Sequence, residues 1–153
     1  MPTTLHASDS TEQRSAEVAL RELINVTLGC TLRPETLDLG SGVKINVDGI
    51  DRSNRMLCEV YSRIGRLKGS QPDKVAGDML KLMLAERTLG GTWRKLICLA
   101  DLEAAKSFQG RTWLGASIKT FGFELHVIDL PANVRGSLLA AQVRQVMVNA
   151  SGG

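Results

Sequence analysis

Val47–Leu82 reads VDGIDRSNRMLCEVYSRIGRLKGSQPDKVAGDMLKL, and this run decides the fold. Just before it and into it, Val43, Ile45 and Val47 alternate with Lys44, Asn46 and Asp48, the period of a strand. That strand is expected over 42–48, with Asp48 at its end and Asp48-Gly49 as the turn signal. Residues 55–63 read as the next strand. Met56, Cys58 and Val60 face one way on it, and Leu57, Glu59 and Tyr61 the other. Gly65 and Gly69 then break the pattern. A helix is expected over 71–88, capped near Ser70, with Pro72 in its first turn and Val75, Met79, Leu82 and Met83 as its apolar stripe.

Outward from this run the same periodicities continue. Residues 12–28 predict a helix with Ala16, Leu20, Leu23 and Ile24 on one face. Residues 29–40 carry Gly29, Pro34 and Gly40 and read as loop, with an additional strand as an option around Thr36–Leu39. Residues 93–99 (WRKLICL) predict a buried strand, 101–108 a short helix, Trp113–Thr120 a helix and Phe123–Ile128 another strand. A last helix is expected over 133–149, with Val134, Leu138, Ala141 and Val143 or Gln145 on its face. This is an α/β sandwich around a mixed sheet. Residues 1–11 read as a disordered N-terminal tail and 12–149 as one domain.

The chain has 153 residues, enough for a single core. No apolar run approaches the ~18 to 20 residues of a membrane span, so no membrane association is expected. Cys30, Cys58 and Cys98 form no CxxC pair, which argues against a zinc site and a disulfide framework. Buried thiols in a reducing, cytoplasmic setting are the expectation. Charge is unevenly spread. Residues 1–51 carry four basic and eight acidic side chains, whereas 52–95 carry ten basic and four acidic. Positive charge therefore lies beside and just after the two acids, Asp48 and Glu59, where it would draw in a polyanion. A solvated charged face accounts for the same numbers.

Cleaving a phosphodiester needs an activated water and neutralisation of charge in the transition state. A divalent cation held by a few oxygens supplies both. Carboxylates on adjacent strands can share one ion, and the Val60 carbonyl could complete its ligands. A nearby lysine would orient the water and stabilise negative charge. The pattern Asp48-x10-Glu59-Val60-Tyr61 resembles that of the PD-(D/E)xK nuclease superfamily, and 65–82 is similar to part of a bacterial subgroup of it. The resemblance spans roughly residues 12–130. It implies a restriction-endonuclease-like fold with an α-β-β-β-α-β core, a mixed central sheet and flanking helices. It also implies Mg²⁺ as cofactor, with Mn²⁺ as a substitute, on Asp48 and Glu59, and an endonuclease acting on DNA. Tyr61 stands where the family has its lysine. In some members that lysine moves to the following helix, and Lys68, Lys74 and Lys81 are the candidates here. Lys74 and Lys68 are taken as catalytic. Glu17 resembles an extra acid that some members add. Arg63, Arg66, Lys68, Gln71, Lys74 and Lys81 are the nucleic-acid-binding candidates.

Each residue also has a plainer reading. Asp48 before Gly49 is a turn residue. Glu59, costly to bury alone, pairs structurally with Arg63 or Lys81. Tyr61 is a packing residue, and Asp78 holds Lys74 or Lys81 along the helix. His6 and His126 offer little, and Trp93 and Trp113 read as core or edge residues. The alternative function is a nuclease-like subunit without catalysis that binds nucleic acid or serves assembly. A chain this small would act as a homodimer or with a partner protein, and the GSLLAAQV stretch over 136–143 offers an association face.

Overall fold

The computed structural model describes the backbone of residues 3–109 and 111–151 and the side chains of 11–109 and 111–148. Among the described residues five helices and five strands follow the order α1 (Thr3–Leu28), β1 (Arg33–Gly40), β2 (Val43–Asp51), β3 (Met56–Tyr61), α2 (Gln71–Leu89), β4 (Arg94–Leu99), α3 (Leu102–Ala105), α4 (Trp113–Thr120), β5 (Phe123–Val127) and α5 (Ala132–Ser151), with a 3-10 turn at Lys106–Phe108. The strands lie side by side in chain order. β1, β2 and β3 form an antiparallel meander. β4 and β5 then add in parallel, after crossovers through α2 and through the α3–α4 segment. No helix of the described residues is long and apolar enough to cross a membrane.

Alternation on β3 sorts the core into two layers. Met56, Cys58 and Val60 pack with Leu96 and Cys98 of β4 against Ala16, Leu20 and Ile24 of α1 and Leu138 of α5. Leu57 points to the other face with Ile97, under Val75, Met79 and Leu82 of α2 and Leu114 and Ile118 of α4. The strand is therefore covered on both sides, and any polar side chain on it meets a helix rather than water. α2 begins with Pro72 in its first turn and ends at Gly90, whose φ of 81° suits the glycine that closes a helix. The three cysteines are free and buried.

Several expectations are corrected. β1 is a full strand, not a loop around a short one. α1 begins at Thr3, within the stretch read as a tail, while residues 1 and 2 and the side chains as far as Ser10, His6 among them, lie outside the described residues. Asp48-Gly49 is no hairpin turn: both residues are inside β2, and the chain reverses at Arg52–Arg55. The pairing explains why. Arg33 faces Ile50 and Glu35 faces Val47, so Pro34 alone opposes Asp48 and Gly49. Such a two-against-one register shift re-aims side chains, and proline, which cannot donate to the ladder, fits the edge strand at that point. Asp51 makes the turn instead, accepting from Thr31 N–H at 2.8 Å, Asn54 N–H at 3.0 Å and Asn54 Nδ2 at 2.8 Å. The Thr31 amide foremost, then the Asn54 donors, hold its carboxyl down at about 2 despite burial. On α5, Val143 and Gln145 turn outward, Val143 being 58 % exposed, because Leu138 and Ala141 take the inner face. Trp113 is 61 % exposed and belongs to no core, whereas Trp93 is buried with its Nε1 on Gly90 O at 2.8 Å.

Candidate functional site

Glu59 sits in the middle of β3 on the α2 face and is 2 % exposed. α2 runs antiparallel to β3, because it starts from the loop beyond the C-terminal end of that strand. One stripe of α2 therefore lies along Tyr61 and Glu59 in turn. Lys74, Asp78 and Lys81 are spaced i, i+4, i+7 on it. The Lys74 amine lies 5.7 Å from the centre of the Tyr61 ring. The Tyr61 hydroxyl donates to Asp78 Oδ2 at 2.7 Å. The Lys81 amine is 2.6 Å from Glu59 Oε1 and 3.5 Å from Asp78 Oδ1. The Lys81 amine therefore ion-pairs with Glu59 through Oε1, with Asp78 as a longer second contact.

Asp48 reaches the same point from β2. Its Oδ2 accepts from the Val60 N–H at 2.9 Å. Its carboxyl also lies close enough to that of Glu59 to bear on the Glu59 proton. Two carboxyls that close do not both ionise readily. Burial first, then the Asp48 carboxyl, push Glu59 up to about 10, against the opposing pull of Lys81. For Lys81 burial works against the charged amine, but Glu59, Asp78 and Asp48 outweigh it and raise its pKa. Glu17, half-buried on α1, is raised by burial and then by the Asp48 charge.

A cleft of about 240 Å³ opens beyond the C-terminal end of β3; Glu17, Val60 and Tyr61 line it, whereas Asp48, Glu59 and Lys81 do not. α1 contributes Gln13 and Glu17 to it, β3 and its loop Tyr61 and Arg63, and α2 Gln71 and Lys74. Its remaining wall is α5. The loop after β3 is fixed in place: Ile64 N–H and C=O both bond the Gln142 amide, at 2.9 and 3.0 Å. Gly65 N–H donates to Asp101 Oδ2 at 2.6 Å, and Asp101 is itself held by Arg135 at 3.0 Å. Arg63 is thereby pinned at the cleft, and its Nε is buried with no hydrogen-bond partner among the described residues.

The structure thus brings Asp48, Glu59, Lys81, Tyr61 and Asp78 together, with Lys74 and Glu17 at the cleft. It does not bring Lys68 there: Lys68 and Arg66 line a shallower groove on the other side of Arg63. Gln71 is spent locally, its Oε1 accepting from Lys68 N–H at 2.8 Å. The amine within reach of Glu59 is that of Lys81, which the sequence offered as a structural partner of Glu59, as one of three candidates for the displaced lysine and as a strand-binding residue, while Lys74 and Lys68 were taken as catalytic. Asp78 meets Lys81 as its helical spacing allowed, and its bond from the Tyr61 hydroxyl is the part the sequence did not show. The signal for Asp78 was its position between two lysines on one helix face. His126 lies on β5, 3.1 Å from Glu124, which Arg94 also binds.

Among the described residues no three histidine, cysteine, aspartate or glutamate side chains are disposed to hold a metal ion. Two hard carboxylates nevertheless fit Mg²⁺, which takes one or two protein carboxylates and fills its octahedron with water and substrate oxygens. No protein-family model matches the chain, and no curated protein or solved structure matches it.

Proposed function

We propose that this protein is a metal-dependent endonuclease of the PD-(D/E)xK kind that hydrolyses phosphodiester bonds in DNA. The observation that carries the reading is the Lys81 amine 2.6 Å from Glu59 Oε1, with Asp48 of the neighbouring strand bonded to the Val60 N–H next along β3. A buried strand-centre acid, a second acid from the neighbouring strand and a lysine amine are the three groups the chemistry needs, and here they converge. Asp48 and Glu59 would hold Mg²⁺ or Mn²⁺, with Glu17 at the cleft. When bound, the ion supplies charge neutralisation and a water of lowered pKa. Lys81 contributes a fixed positive charge where the phosphate gains negative charge. Arg63 and Lys74 meet the strand at the cleft. That the strand is DNA rests on the family resemblance.

The test is incubation of purified protein with supercoiled plasmid and with single-stranded DNA under Mg²⁺ and Mn²⁺, beside Asp48→Ala and Glu59→Ala. Metal-dependent nicking that both substitutions abolish is the expected outcome, and cleavage retained in both would remove the acids from the chemistry. One observation favours a second reading, a binding subunit without catalysis: among the described residues no third ligand joins the acid pair. In that case the protein binds DNA in a salt-dependent way and cuts nothing under either metal.

A further inference from the structure

We propose that Asp78, locked by Tyr61, is the positioning residue that holds the Lys81 amine on Glu59. The inference rests on the reading above and deepens it. A lysine side chain has a flexible four-carbon stem and about 2 kcal/mol of rotamer entropy, so one acid on the strand does not fix its amine. Here the amine lies between two acids, Glu59 Oε1 at 2.6 Å and Asp78 Oδ1 at 3.5 Å. An i, i+3 pair on an open helix face is weak. This one is not on an open face: Asp78 is 19 % exposed and Lys81 25 %. Asp78 is fixed in turn, because its second oxygen accepts from the Tyr61 hydroxyl at 2.7 Å. Its other potential helical partner, Lys74, does not compete, since that amine sits over the Tyr61 ring. Tyr61 occupies the position at which the resembling family carries its lysine. In this chain that position serves the amine at second hand, through Asp78.

The experiment has two arms. In the first, the folded metal-free protein is treated with a small amine-acylating reagent, and modification of each lysine is followed by peptide mass spectrometry. Lys81 is expected to be protected in the wild type. Protection should be lost in Asp78→Asn and in Tyr61→Phe, while exposed Lys119 reacts equally in all three. In the second arm, plasmid cleavage under Mg²⁺ is measured. Asp78→Asn should lower kcat by about 10- to 100-fold, the usual cost of losing an orienting partner, with KM within about twofold. Asp78→Glu, which keeps the carboxylate, should recover part of the loss. Unchanged protection of Lys81 in both variants overturns the proposal, as does a loss that appears only in KM. Tyr61→Phe keeps every charge, so it decides the matter should Asp78→Asn fail to fold. Absence of any cleavage by the wild type overturns the nuclease reading instead, and the acylation arm still decides the positioning.

Discussion

Lys81 Nζ and Glu59 Oε1 stand 2.6 Å apart, the amine arriving from the third turn of α2 and the carboxyl from the centre of β3. This places a cation at the acid pair without a lysine on the strand itself. If the amine stabilises charge in the transition state, Lys81→Ala should lower the rate of plasmid nicking by about 10²- to 10³-fold, as loss of one fixed electrostatic donor does elsewhere. Lys74→Ala should act mainly on KM, since its amine lies over Tyr61 at the rim. Lys68→Ala, in the outer groove, should leave kcat unchanged. Full activity in Lys81→Ala would move the catalytic lysine elsewhere.

The proton on the acid pair has a consequence for stability. Glu59 titrates near 4.5 when unfolded and is pushed up to about 10 in the fold. Between those values the folded chain holds a proton that the unfolded chain has lost. Stability is therefore greatest below 4.5 as far as this group is concerned, and falls as pH rises through the window, by at most about 1.4 kcal/mol per pH unit for one proton. Glu59→Gln keeps the shape and removes the titration. Its melting temperature should fall less steeply with pH than that of the wild type across the same window, and should exceed it at the alkaline end. Parallel curves for the two proteins would show that the pair does not carry the proton.

Much of this arrangement was legible in the sequence because it depends on period. Alternation along MLCEVY put Glu59 and Tyr61 on one face of β3 and Cys58 on the other, and spacing put Lys74, Asp78 and Lys81 on one face of α2. The sequence offered Glu59 either Arg63 or Lys81, and that Lys81 is the one that meets it was not legible. That depends on how far α2 slides along β3, which the packing of Val75, Met79 and Leu82 against Leu57 and Ile97 decides, and no local pattern records it. Asp48-Gly49 misled for a similar reason. The pair has turn chemistry, but β1 supplies Pro34 opposite it, and a register shift inside a strand is a property of two segments rather than one.

That register shift gives a prediction of its own. Gly49 packs so closely that a Cβ there would lie 2.5 Å from Cys58 Sγ and 3.0 Å from Leu32 Cβ. Gly49→Ala should therefore cost about 1–3 kcal/mol by overpacking, measured by urea unfolding. It should also impair cleavage beyond the stability loss, because Asp48 is the adjacent residue. Adding Cys58→Ala removes the sulfur and should return part of both, a coupling expected of residues in contact. A Gly49→Ala variant as stable as the wild type would show that β2 can shift there without strain.

The cleft should bind the strand largely through charge, and salt reads that charge directly. Arg63 is fixed by its neighbours Ile64 and Gly65 and keeps a buried Nε without a hydrogen-bond partner among the described residues. Such a donor is costly to leave unmet, and a phosphate oxygen would meet it. Lys74 adds a second cation at the rim. Each phosphate neutralised contributes about 0.9 to the slope of log affinity against log salt on duplex DNA, and about 0.7 on a single strand. Arg63→Gln and Lys74→Gln should each lower the slope by about one such step, and the double variant by about two, as fluorescence anisotropy at graded salt would measure. Lys119→Gln, on the exposed end of α4, should leave it unchanged. The size of the step distinguishes strandedness in the same experiment, and an unaltered slope in Arg63→Gln would mean that the strand does not enter the cleft.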